Sequence, residues 1–165
     1  MVTRLQKFLD SQRIKYQILL HSKAFTAQEV AESAQISGKL LAKTVMMMVE
    51  GIPMMILLPA FLDVDMDALS AQLEQREVRL ATEKECADLF PHCEVGAWPA
   101  FGTIWEIPMM IDRQLAEHRD FIGYTGKLNE LIRLRMSDFL KVMKPEICDL
   151  SATDRSSSIF RRLFA

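Results

Sequence analysis

Cysteine is scarce in this 165-residue chain: Cys86, Cys93 and Cys148 are an odd number without a C-x-x-C pair. That argues against a disulfide framework or a zinc ribbon and fits reduced thiols in a cytosolic protein. Neither sign of charge is in excess, with 20 basic side chains against 22 acidic ones. No overall field therefore draws the protein onto a nucleic-acid backbone, and any RNA contact has to be local. Long apolar runs are missing as well. The longest, residues 52–62, has eleven residues and two prolines, against the roughly 20 that cross a bilayer, so it is core and no membrane role is expected. The opening "MVTRLQKFLDSQ" mixes charges among its apolar residues and has no continuous apolar stretch of a signal peptide. The expected location is cytoplasmic.

Half of the residues are apolar, enough for one ordinary domain with a sizeable core. Leu5, Phe8 and Leu9 form a one-sided helical stripe, and "KYQILL" reads as a short strand ending at His21. "TAQE" at Thr26 is a capping box that starts a second helix, running to about Ala34. Two apolar runs then flank Glu50-Gly51, a hairpin turn whose strands are apolar on both faces and hence central. Asp65 caps a helix carrying Leu69 and Leu73, "VRLA" is a strand, and "TEKE" at Thr82 is another capping box. Beyond the Gly96, Pro99 and Gly102 loop, "TIWEIPMMID" and "ELIRLRM" read as strands. Ser137 is expected to cap a last helix, which ends before Pro145. Helices and strands interleave without a regular period, which gives an α+β fold with a mixed sheet. Residues 1–145 are expected to form the domain. Residues 146–165 read as a polar tail, with "IFRRLFA" an amphipathic docking segment.

Several chemistries fail on spacing. "SGKLLAKT" lacks the first glycine of a phosphate loop, since Ser33 stands there, and Leu40 rather than Ser or Thr follows Lys39. Cys86, His92 and Cys93 match no standard metal site, so neither a metal nor a cofactor is expected. A nucleophile pair of His21 with Cys86 or Cys93 has no support beyond the presence of those residues. Lys43 is more informative. An ammonium entering an apolar strand must reach water, pair with an anion or lose its proton; its functional counterpart is a cation at a pocket edge. The "VGAWPAFG" loop is either a tight connection or a place where backbone amides approach a ligand, and such amides can donate to a developing oxyanion.

Taken in order, "HSKAFTAQEVAES", "LLAKTVMMM", "LLPAFLDVDMDAL", "VRLATEKE", "CEVGAWPAFG", "IPMMID" and "IRLRMSDFLKVMKP" resemble the YbaK family, the aminoacyl-tRNA deacylase domain also inserted in bacterial prolyl-tRNA synthetases. The resemblance runs from about residue 3 to 145. It implies an α+β fold with a curved, mixed, mostly antiparallel sheet, a pseudo-barrel flanked by helices. The implied activity is trans-editing, the hydrolysis of the ester joining a wrong amino acid to tRNA, with no cofactor and no covalent nucleophile. Implied partners are the aminoacyl-tRNA 3′ end and, as a further candidate, a synthetase.

On this resemblance Lys43 is the family's essential lysine, placed to hold the terminal adenosine phosphate or the carbonyl. Gly96, with Ala97, Trp98 and Pro99, is the loop whose backbone positions that carbonyl. His21, Phe25 and Thr26 border the amino-acid pocket, and Gly102 and Gly126 belong to the same substrate-binding set. The chain departs from the family's G-x-x-x-P pattern at Val95, and Leu128 stands where relatives carry histidine. Trp98 is bulky enough to narrow or close the pocket. The alternative is an inactive module of the same fold that binds RNA ends, a nucleotide or a protein partner.

Overall fold

The computed structural model describes residues 3–22, 29, 32 and 36–151. Helix α1 (Arg4–Ser11) starts at a capping box in which Thr3 and Gln6 each satisfy the other's backbone amide, and it buries Leu5 and Leu9. Strand β1 (Tyr16–Leu20) follows. The second helix expected from Thr26 falls largely outside the described residues, of which Glu29 and Glu32 are helical. Strands β2 (Ala42–Val49) and β3 (Ile52–Pro59) pair antiparallel from Ala42↔Pro59 to Val49↔Ile52. Glu50 and Gly51 both have positive φ, +49° and +81°, the two-residue turn whose twist matches that of the strands.

Then come α2 (Met66–Gln72), β4 (Val78–Leu80) and α3 (Glu83–Leu89). Asp65 accepts from two amides of α2, and Thr82 with Glu85 completes the box on α3. Arg79 donates to both Glu85 oxygens, at 3.0 and 2.7 Å. With the Thr82 amide, this holds the Glu85 carboxyl down at about 2, below its usual 4.5. A depressed carboxyl contributes stability above its unfolded value and loses it as pH falls through the folded one. The urea midpoints of wild type and Glu85→Gln are therefore expected to differ near neutrality and to converge as pH drops from 4.5 toward 2.

"TIWEIPMMID" is not a single strand. Gly102–Trp105 forms a 3₁₀ turn, Glu106 swings to φ +57°, and only Met109–Asp112 extends as β5. The turn is closed by the Ile107 amide on the Gly102 carbonyl, 2.9 Å. Helix α4 (Arg113–Ala116), β6 (Asp120–Tyr124), β7 (Glu130–Arg135), α5 (Met136–Met143) and β8 (Glu146–Cys148) complete the order. Ser137 does not cap α5, which begins one residue earlier, after Arg135. Strand β7 runs straight into it, and the Met136 amide is satisfied by the Arg119 carbonyl at 2.9 Å.

The fold is α+β with mixed, mostly antiparallel pairing, arranged as two sheets that do not close. One has the order β1-β7-β6, the other β4-β2-β3-β5-β8, with parallel pairs only at β3–β5 and β5–β8. A single parallel bridge, Leu41↔Ile122, joins them. The main core lies between the sheets, where Phe121 stacks on Phe139 at 3.8 Å and Phe101 meets both edge-on.

The folded body continues past residue 145, because β8 pairs with β5 and Ser151 bridges Val64. Residues 152–165, including "IFRRLFA", lie outside the described residues. Asp112, 1% exposed, fastens this end. One oxygen accepts from the Leu150 and Ser151 amides at 2.8 and 3.0 Å, the other from Gln114 at 3.1 Å. Asp112→Ala leaves three amides without an acceptor and is expected to cost about 3 kcal/mol, with Asp112→Asn recovering part; urea denaturation measures both.

Candidate active site

A second, smaller apolar cluster lies where the two sheets meet. Leu41, Ala97, Ile122, Tyr124 and Leu131 are its buried members, with Leu19, Leu40, Ala60 and Leu128 packed around them. The period-2 alternation of strands sorts the residues. On β6 and β7, Ile122, Tyr124 and Leu131 face this cluster, while Phe121, Ile132 and Leu134 face the main core.

The Gly96 loop is clasped against the connection between β6 and β7. The Glu94 amide donates to the Gly126 carbonyl at 2.8 Å, and the Glu94 carboxylate accepts from the Leu128 amide at 2.5 Å. Inside the loop the Ala97 amide donates to the Glu94 carbonyl, and at its end the Ala100 amide donates to Tyr124. Gly96 has φ +89° and Gly126 φ +112°, values that side chains rarely adopt. A Cβ on Gly126 would also lie 2.7 Å from Cys93 Sγ. Gly96 is exposed, whereas Ala97 and Pro99 are buried.

Trp98 does not turn toward the small cluster. Its ring stacks on Phe90, centroids 5.9 Å apart and planes at 30°, against the main core. Ala97 and Trp98, adjacent in sequence, thus point to different clusters. Gly102 lies with Trp98's side of the molecule: a Cβ there would be 2.8 Å from Met109 Cγ and 2.9 Å from the Ile107 carbonyl oxygen, so that glycine allows close packing beneath the 3₁₀ turn.

Lys43 reaches neither the loop nor open water alone. Its Nζ is 3.2 Å from Asp63 Oδ1, with the lysine side chain 23% exposed and the aspartate 90%. On β2 it shares a face with Leu41, of the small cluster, and with Val45 and Met47, which pack with Ile56, Leu58 and Leu69 under α2. The ammonium therefore sits between two apolar patches, two residues along from the leucine that Ala97 packs on.

His21 continues the β1–β7 pairing, its amide donating to Asn129 at 3.0 Å, next to the same β6–β7 connection. Nδ1 lies 2.7 Å from the Ser22 carbonyl; a carbonyl only accepts, so Nδ1 donates there. Nε2 is buried without a hydrogen-bond partner, as is Thr44 Oγ1 on the opposite face of β2 from Lys43. Phe25 and Thr26 lie outside the described residues.

Burial raises the thiols of Cys86 and Cys93 and pushes Cys148 up to about 12, so no thiolate nucleophile is at hand near neutral pH. A depression of about 500 Å³ beside α1, lined by Arg4, Phe8 and Thr103–Glu106, contains none of the site residues expected from the sequence. Its Arg4 is committed to the Ile104 carbonyl at 2.7 Å and to the face of Trp105.

Residues 21–142 match the model of the aminoacyl-tRNA editing domain. The chain belongs to that family. The matched range contains Lys43, the Gly96 loop and its Gly126 clasp. No curated protein matches the chain. Among solved structures, the hypothetical protein APE2540 superposes with a TM-score of 0.82 at 19% identity, covering 91% of this chain and 100% of its own. A candidate trans-editing enzyme for prolyl-tRNA synthetase superposes at 0.77 with 21% identity, covering 91% and 96%. A signal-transduction candidate from Marinobacter aquaeolei VT8 reaches 0.71 at 16% identity, covering 97% of this chain but 34% of its own. At these identities the superpositions speak for the fold alone, the YbaK-like editing fold. Editing-domain membership identifies aminoacyl-tRNA as the kind of molecule this family handles. No described helix is long and apolar enough to cross a membrane.

Sequence reasoning singled out Lys43, Gly96 and Gly126 but missed Asp63 and Glu94, which hold them. Neither acid carries a local signal. Each lies in a loop, and its partner, Lys43 or Leu128, is 20 or 34 residues away.

Proposed function

We propose that this editing domain is a trans-acting hydrolase that removes wrongly attached amino acids from tRNA. The observation that carries the reading is the small apolar cluster bordered on one side by the clasped Gly96 loop and on the other by the Lys43 strand. Such a floor accepts a small apolar side chain. Synthetase pockets discriminate such side chains by only about 1–3 kcal/mol per methylene, so a second hydrolytic pocket has work to do.

In the reaction, water attacks the ester carbonyl carbon and a tetrahedral oxyanion forms. The bond from that carbon to the ribose 3′ oxygen then breaks, and the proton lost by water ends on the leaving oxygen, relayed through the neighbouring 2′-hydroxyl. The products are a free amino acid and a tRNA with an intact 3′ end. Lys43 holds the terminal phosphate or the carbonyl oxygen, and the exposed Gly96 backbone donates to the oxyanion. The raised cysteine thiols agree with a route that forms no covalent enzyme intermediate. In this reading His21 borders the amino-acid side of the pocket.

The test is hydrolysis of a panel of mischarged tRNAs by wild type and Lys43→Ala. No hydrolysis of any substrate by the wild type would sink the proposal and favour the binding-module alternative, whereas equal rates in the two would take Lys43 out of the reaction.

A further inference from the structure

Two of the large hydrophobic residues most exposed among the described ones lie close in sequence to members of the small cluster. Phe61 (58% exposed) follows Ala60, and Val95 (52%) is two residues before the buried Ala97. Single exposed hydrophobics need no explanation, but Phe61 stands in a turn that is bonded to the site.

Phe61 is the aromatic member. It stands in the turn from Pro59 to Leu62, which the Leu62 amide closes onto the Pro59 carbonyl at 3.0 Å. The preceding Ala60 amide donates to Leu41 at 2.8 Å, which ties this turn to the cluster. Two residues beyond Phe61, Asp63 anchors Lys43.

Two further lysines border the same cluster. Lys39 is exposed and directly precedes Leu40; Lys127, 57% exposed, directly precedes Leu128. The nearest acid to Lys127 is Glu130, at 3.9 Å, and that carboxylate also accepts from Thr125 at 2.9 Å. Gly38, beside Lys39, has open space around it.

An exposed aromatic ring on the turn that carries the anchor of Lys43, with exposed lysines next to Leu40 and Leu128 of the same cluster, suits a single-stranded nucleic-acid end, whose bases stack and whose phosphates are anionic. We infer that Phe61 is the platform on which an unpaired base near the 3′ end of the RNA stacks, with Lys39 and Lys127 meeting the adjoining phosphates. This rests on the editing reading and adds the substrate contact outside the amino-acid pocket. It also explains how a chain without net positive charge takes hold of RNA: the contact is local.

The test uses the full chain and an RNA hairpin with a single-stranded CCA end whose terminal base is 2-aminopurine. Phe61→Ala is expected to weaken binding by roughly 5- to 150-fold and to remove the fluorescence quenching that stacking produces. Phe61→Trp retains both, Phe61→Leu neither. Lys39→Ala and Lys127→Ala each lower the slope of log affinity against log salt by about 0.7. A hairpin without the overhang binds wild type and Phe61→Ala alike.

Equal affinity of wild type and Phe61→Ala for the CCA hairpin overturns the inference, as does an equal loss on the blunt hairpin. So does a wild-type dimer that Phe61→Ala dissociates while RNA affinity stays unchanged, which would mean that a second copy covers the ring. Hydrolysis assayed alongside separates the two claims. Hydrolysis untouched by loss of Phe61 defeats only the stacking contact. Overhang-dependent stacking without hydrolysis of any mischarged tRNA defeats only the editing reading.

Discussion

Lys43→Ala is expected to slow deacylation of a mischarged tRNA by roughly 100- to 1,000-fold, the usual effect of deleting one preorganised group that meets developing charge. The same variant stays folded. The Lys43–Asp63 pair has a 90% exposed aspartate, and an ion pair of that kind contributes only about 0–1 kcal/mol. Thermal unfolding should therefore move by no more than a few degrees while activity collapses. Lys43→Met, which keeps the apolar stem against its neighbours, should be as inactive as alanine, because the stem is not the functional part. Asp63→Asn should reduce the rate far less, since it frees the ammonium from its anchor without removing it. A Lys43→Ala enzyme as active as wild type, at matched folded concentration, would remove the lysine from the reaction.

Phe121→Ala is expected to produce the opposite pattern. Phe121 is fully buried, stacks on Phe139 with planes at 6° and meets Phe101 edge-on. Deleting such a ring costs about 3–5 kcal/mol in lost transfer and cavity energy, and the aromatic pairs add to that. In a chain of this size the midpoint of thermal unfolding should fall by roughly 10 °C. The side chain faces the main core, on the side of β6 away from Ala97 and Leu131. Below the unfolding transition, the deacylation rate per folded molecule should therefore stay within a few-fold of wild type. A rate lost in proportion to Lys43→Ala, with the protein still folded, would mean that the main core sets the site's geometry more directly than the two clusters suggest.

Local signals served well where a residue's partner is near in sequence. The Thr82–Glu85 box, the Asp65 cap and the Glu50-Gly51 turn all have the geometry expected from their residues, because each is closed within three or four positions. The hairpin's two apolar faces correctly made it central, since β2 and β3 are flanked by β4 and β5. Signals failed where a distant backbone group took over. Ser137 has the chemistry of a cap, but the Arg119 carbonyl already serves the Met136 amide. The residues of β8 read as the start of a polar tail because "SATDRSSS" follows them, yet β5 offers them a free edge. Strand β6 passed unnoticed in "RDFIGYTG", where a glycine and a charged start hide a strand buried by its two neighbours.

For the candidate site, the sequence by itself determined the kind of parts: a lysine at the mouth of an apolar strand, a loop of glycines and a proline, and the family those motifs belong to. Only the tertiary structure decided how they are held. It sent Trp98 to Phe90 and Ala97 to Leu41, although the two are neighbours in the chain. It set Asp63 against Lys43 and Glu94 against Leu128. The physical reason is that residue type and spacing specify what a group can bond and which face of its strand it takes. Which partner it meets depends on how the two sheets approach each other around Leu41 and Ile122.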